Sequence, residues 1–115
     1  MRMKKSLTKK EILRKREEIR GILQADNRID IKGSRLLFKK NNLDYNRLLV
    51  TVPRKFGNAV TRNKAKRYGK EIFRHIKHDI VKGYDFCIVL FPGIYKYGER
   101  NEQITSLMRK ANLFQ

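Results

Sequence analysis

A chain of 115 residues has room for one hydrophobic core and not comfortably for two, and its 40% apolar residues are enough to offset the entropy of folding. Twenty-nine Lys and Arg against 11 Asp and Glu leave a formal charge of +18, an imbalance that implies a polyanionic partner. The longest strongly apolar run, Phe86 to Phe91, falls far short of the roughly 20 residues a spanning helix needs, which excludes a helical membrane span.

The N-terminus opens with basic residues, but Thr8-Lys9-Lys10-Glu11 stands where a signal peptide would place its apolar stretch, so a cytoplasmic protein is expected. Residues 1–7 read as a flexible lead-in to a single domain spanning 1–115. Thr8 followed by Glu11 has the spacing of a capping box and predicts a helix from about Lys9 to Gln24, with Ile12, Ile19, Ile22 and Leu23 as its apolar stripe. Strand signals follow, first in the alternation of Ile29 and Ile31, then in Arg35–Lys39 and Arg47–Pro53. Asn41-Asn42 between the last two predicts a hairpin.

A long helical pattern occupies roughly Asn58 to Val81, with Asn58 as N-cap after Gly57, and Gly83 punctuates its end. Tyr84 to Phe91 is a nearly continuous apolar strand closed by Pro92-Gly93, a pattern expected of a central strand covered on at least one face. Ile104, Leu107, Met108 and Ala111 then mark a terminal helix. The order α-β-β-β-α-β-α predicts a small α+β sandwich containing a strand–helix–strand unit. No repeat, low-complexity tract or linker suggests a second domain.

The long helix carries the most information. Placed at 100° per residue, Ala65, Tyr68, Ile72 and Ile76 fall within an arc of about 80°, the face expected to pack on the sheet. Arg62, Asn63, Lys66, Arg67, Lys70, Arg74 and Lys77 fall within about 140° on another side. Like charges at i, i+4, such as Arg62, Lys66 and Lys70, destabilise a helix by roughly 0.2–0.5 kcal/mol per pair unless a partner neutralises them. A phosphate backbone is the natural partner, since Arg offers a two-pronged fork and Asn can reach base edges or sugar hydroxyls. Arg54 and Lys55 add cations beside the N-terminus of the same helix, where free N–H groups favour anions.

These residues resemble a known family. Gly57-Asn58-Ala59-Val60-Thr61-Arg62-Asn63-Lys64-Ala65-Lys66-Arg67, continuing through Lys70-Glu71 to Phe73-Arg74, is similar to the arginine-asparagine-arginine signature of the bacterial ribonuclease P protein, and chain length and element order agree. The resemblance implies a left-handed crossover of the strand–helix–strand unit, against the usual right-handed rule. It also implies that Arg62, Asn63, Lys64, Lys66, Arg67, Lys70 and Arg74 contact a catalytic RNA subunit, and Arg54, Lys55 and Asn58 in the preceding turn complete the candidate RNA-binding set. A cleft between the first helix and the sheet would hold the single-stranded 5′ leader of precursor tRNA, with Ile19, Leu23 and Phe38 at its candidate positions. In the family the RNA cleaves with Mg²⁺ and the protein is a non-catalytic subunit of the endoribonuclease; for this chain no membrane association and no stable protein partner is expected.

Four positions depart from the pattern. Ile19 and Leu23 replace two aromatics, which removes base stacking worth roughly 1–3 kcal/mol per base. Lys64 stands where Arg is frequent, and Pro53 where Ser is common. The residues also bear on other functional classes. A ribosomal or RNA-chaperone protein shares the charge but does not need the signature spacing, and a transcription factor would need a helix-turn unit before the basic helix. His75 and His78, three apart on that helix, are the best pair for a self-sufficient ribonuclease. No catalytic triad or phosphate loop can be assembled, two His with one Cys do not make a metal cluster, and Cys87 reads as a buried strand residue.

Overall fold

The computed structural model of the protein describes residues 6–115 and shows a four-stranded mixed sheet with helices on both faces. Most of the expected flexible N-terminal segment lies outside the described residues. Within it, Leu7 packs on the core and the Ser6 carbonyl accepts a hydrogen bond from Lys77.

The predicted helix from Lys9 to Gln24 is broken in two. Thr8 and Glu11 pair as their spacing suggested, but they close only a 3₁₀ turn at Lys9–Glu11, and α1 spans Arg16–Leu23. The reason lies in the sheet: Ile12 forms a bridge with Leu48, and the Leu13 N–H donates to the Leu48 carbonyl at 2.9 Å. This segment covers an otherwise open sheet edge and buries Leu13, a tertiary gain that outweighs helix continuation.

Strands β1 (Asn27–Ile31) and β2 (Ser34–Lys40) form an antiparallel hairpin through Gly33, whose φ of 88° suits glycine. The hairpin predicted between β2 and β3 (Arg47–Thr51) does not form, because β4 (Tyr84–Leu90) inserts between them. The sheet order is β1-β2-β4-β3, with β4 antiparallel to β2 and parallel to β3. Its apolar run needs partners on both edges and cover on both faces, and only the centre of the sheet supplies them. The 41–46 connection is instead tied locally, with Asn41 Nδ2 donating to the Tyr45 carbonyl and Asn41 Oδ1 accepting from the Leu43 N–H.

Helix α2 spans Ala59–Ile76 and ends in a 3₁₀ turn, Lys77–Asp79. Asn58 caps it as expected, Oδ1 accepting from the Thr61 N–H at 2.9 Å. Its buried face is Ala65, Gly69, Ile72 and Phe73, so the stripe read from the sequence is rotated: Tyr68 and Ile76 sit at its margin. Glycine at 69 lets α2 approach β3. A Cβ there would come within 2.6 Å of Val50 Cγ1, in the buried core. Alanine normally gains about 1 kcal/mol over glycine inside a helix, whereas overpacking costs about 1–3 kcal/mol. Gly69→Ala is therefore expected to lower the thermal midpoint, and an unchanged or raised midpoint would show that Val50 yields.

Helix α3 (Tyr97–Lys110) buries Ile104, Leu107 and Met108, and starts earlier than those apolar positions alone require. It closes with Asn112 at φ 59°, the Leu113 N–H reaching the Met108 carbonyl and the Asn112 N–H the Arg109 carbonyl, a Schellman ending.

Strand register divides the side chains between two faces. Leu36, Ile88 and Val50 lie in one row with Ile29, and Phe38, Phe86 and Leu48 in the next, all under α2 and α3. Leu37, Cys87 and Leu49 form a row on the opposite face, where Leu13, Ile19 and Ile22 cover them. Cys87 is fully buried as its strand position suggested, and burial pushes its thiol up to about 12.

Candidate nucleic-acid interface

The N-capped start of α2 presents the cationic stripe outward. Asn63, Lys64, Arg67 and Lys70 are exposed, and Arg62, Lys66 and Arg74 half-buried. Among the described residues, Arg62, Lys66, Arg67 and Lys70 form no ion pair. Arg62 Nε is in addition buried without a hydrogen-bond partner among them. A buried donor left unmet costs about 1–3 kcal/mol, so the stripe holds unused binding capacity. Arg54, Lys55 and Asn58 are exposed in the turn that leads into the helix, at the N-terminal end of the stripe.

The C-terminal half of the stripe is partly neutralised. Glu71 accepts from Arg74 and lies 3.2 Å from His75 Nε2, and the Arg74 hydrogen bond is the main cause holding its carboxyl below the ordinary value. Arg74 is thus the least available of the predicted cations. His75 is engaged by the same carboxylate, and His78 lies beyond α2 in the 3₁₀ turn, so the two do not flank one open phosphate site.

A second surface lies across the sheet, beside α1. Arg47 joins helix to sheet: its Nε and Nη2 donate to the two carboxylate oxygens of Asp85 at 2.8 and 2.9 Å, and its Nη1 to Glu18 at 2.6 Å. Asn41 supplies a further donor to Asp85 at 3.0 Å. The Asp85 hydrogen bonds chiefly raise the pKa of Arg47, and the charge is locked.

The three residues expected in this cleft separate in the structure. Ile19 packs into the α1 core, Leu23 is 50% exposed at the end of α1, and Phe38 lies on the opposite face of the sheet, 6.2 Å from the Tyr84 ring. Strand alternation sends Phe38 away from α1 and brings Leu37 and Lys39 toward it. Lys39 reaches so close to α1 that a Cβ on Gly21 would lie 2.8 Å from its Nζ. The next row is Asp30, Arg35, Val89 and Thr51, of which Val89 still packs on the core beneath α1. Arg35 lies over the Phe91 ring at 5.4 Å, so a cation and an aromatic border this side of the sheet. These residues were not singled out from sequence. Their signal was the polar member of each alternating pair in β2, which reads as ordinary solvent exposure until the helix position is known.

The family profile for ribonuclease P matches residues 7–112. The chain belongs to the ribonuclease P protein family. It is 44% identical over 102 residues to the ribonuclease P protein component of Thermotoga petrophila, covering 89% of this chain and 85% of that one. The component from Petrotoga mobilis is 38% identical over 109 residues, covering 89% and 92%. Among solved structures, the RNase P protein of Thermotoga maritima superposes with a TM-score of 0.76 at 33% identity, covering 87% of this chain and 96% of that one. The Staphylococcus aureus RNase P protein shares the fold with a TM-score of 0.82 at 22% identity, covering 91% and 98%.

Membership makes this chain a component of the ribonuclease P ribonucleoprotein, which acts in tRNA processing, and pairs it with the RNA of that particle. The α+β order predicted from the sequence is the order observed. No helix among the described residues is long and apolar enough to cross a membrane.

Proposed function

We propose that this protein docks on the catalytic RNA of ribonuclease P through the α2 stripe, while the α1 face of the sheet holds the single-stranded 5′ leader of precursor tRNA. The observation that carries the reading is the run of unpaired cations Arg62, Lys66, Arg67 and Lys70, with the unmet Arg62 Nε, in a chain of this family. Each would meet a phosphate, and Asn63 a base edge or ribose hydroxyl. Lys64 contributes a point charge and not a fork.

The chain's own residues do not fit a Mg²⁺ site. Among the described residues no three His, Cys, Asp or Glu converge, and the interface is cationic. Mg²⁺ is accordingly assigned to the RNA and its substrate, and the RNA performs the hydrolysis. The protein lowers repulsion among phosphates, which helps substrate and metal bind together. On the leader side, Arg35, Lys39 and Phe91 take over from the missing helix aromatics, and binding there relies more on charge than on stacking. The site of action is the cytoplasm.

Reconstituted cleavage of precursor tRNA at low Mg²⁺ tests this. Adding the protein to the catalytic RNA is expected to raise the rate, and absence of enhancement overturns the reading. Cleavage by the protein alone, lost in His75→Ala, would favour a self-sufficient nuclease instead.

A further inference from the structure

A cavity of about 190 Å³ opens between the start of α2 and the loop that joins β4 to α3. Its walls are the rings of Phe56, Tyr68 and Tyr95, with Ile94 on the rim. Arg100 forms the floor, its guanidinium 4.4 Å from the Tyr95 ring centre and 6.0 Å from that of Phe56. Arg100 is 2% exposed and its donors are already committed, Nη1 to the Gly33 carbonyl and Gln103, Nη2 to the Phe91 carbonyl. It therefore builds the cavity and leaves the rings as its open surface.

Two features point to an occupant. Lys64 and Lys96 stand at the mouth, so an aromatic interior is framed by cations. Ile94 is 97% exposed, an apolar side chain with nothing to cover it on a chain of charge +18. Aromatic walls with a cationic rim suit a nucleotide, the base between rings and its phosphate on the lysines. A paired base would have to be unpaired and unstacked to enter, a cost that an unpaired one largely avoids. Lys64 lies on α2 beside the stripe, about 60° around the helix from Arg67, so RNA held on the stripe runs close to this mouth.

We propose that this cavity captures one unpaired base of the catalytic RNA, giving the phosphate-binding stripe a fixed register. The inference rests on the docking reading above and adds a base-specific contact to it.

The test measures affinity of the full-length protein for the catalytic RNA and probes base reactivity in the complex. Ile94→Glu places a carboxylate on the rim without touching the core, and Leu43→Glu makes the same change on another exposed apolar residue, in the 41–46 loop. Loss of one stacked base corresponds to roughly 5- to 150-fold in affinity. Ile94→Glu is expected to weaken binding on the order of tenfold, with Leu43→Glu near wild type. Chemical probing of unpaired bases should show one that is protected by the wild-type protein and reactive again with Ile94→Glu or Tyr95→Leu. Equal affinities for the two glutamate variants, or no base regaining reactivity, overturns the proposal while leaving stripe docking intact. A wild-type protein that fails to bind the RNA at all overturns the docking reading itself. If Ile94→Glu instead abolishes a self-associated form with RNA affinity unchanged, the cavity is a protein contact and the base site falls.

Discussion

Replacing Arg47 with Met is expected to destabilise the protein by about 3–5 kcal/mol, the cost of breaking a buried ion pair from one side. Asp85 is 1% exposed, and removal of the guanidinium leaves its carboxylate with only Asn41 Nδ2 as a side-chain donor. The same change releases Glu18, so α1 loses its polar anchor to the sheet. Chemical denaturation gives the global loss. Cys87 reports the local one, because it is buried in the cluster that includes Leu13 and Ile22 and its thiol is pushed up to about 12. In the wild type it should resist thiol reagents near pH 8, and in Arg47→Met it should react faster than global unfolding alone allows. Glu18→Gln, at the more exposed end of the relay, should cost only about 1 kcal/mol. Similar losses for both variants would mean that the pair with Asp85 does not dominate.

Arg62→Ala combined with Arg67→Ala is expected to weaken binding to the catalytic RNA roughly 15- to 30-fold near physiological salt. Each phosphate contact contributes about 0.7–0.9 to the slope of log affinity against log salt concentration, so two contacts remove about 1.4–1.8 from that slope. Neither side chain forms an ion pair within the described chain, which keeps the effect on folding small. Arg109→Ala combined with Lys110→Ala, two exposed cations in the last turn of α3, removes the same charge away from the stripe and should leave the slope nearly unchanged. Equal slopes for the double variant and the wild type would remove the stripe from the interface. On the proposed function, low-Mg²⁺ cleavage should fall in parallel.

The two expectations differ in how easily they were read from the residues. The α2 stripe was visible because it needs only helical periodicity: Arg62, Lys66, Arg67 and Lys70 share a side wherever the helix sits. Its cap was equally local, and Asn58 binds the Thr61 N–H as the pattern implied. The exact buried face was not, because Gly69 reads as a weak helix position until Val50 is seen against it. The α1 side of the sheet was less legible still. Whether Phe38 or Leu37 faces α1 depends on which face of the sheet the helix covers, and alternation alone leaves both open. Arg47 looked like one basic residue among many, and Asp85 like the start of a strand, until the fold joined positions 38 residues apart.

The sequence by itself determined the class of partner through its charge, the order of the elements through periodicity, and the family through the Asn58 to Arg74 signature. All three follow from composition or from neighbours a few residues apart. The tertiary structure decided what depends on distant pairing. It placed β4 between β2 and β3 where a hairpin was expected, since only a central position buries that strand on both faces. It drew Ile12 and Leu13 out of the first helix to cover the sheet edge. It also assembled the Phe56, Tyr68 and Tyr95 cavity from segments that share no local pattern, because a cavity exists only where packed elements leave space between them.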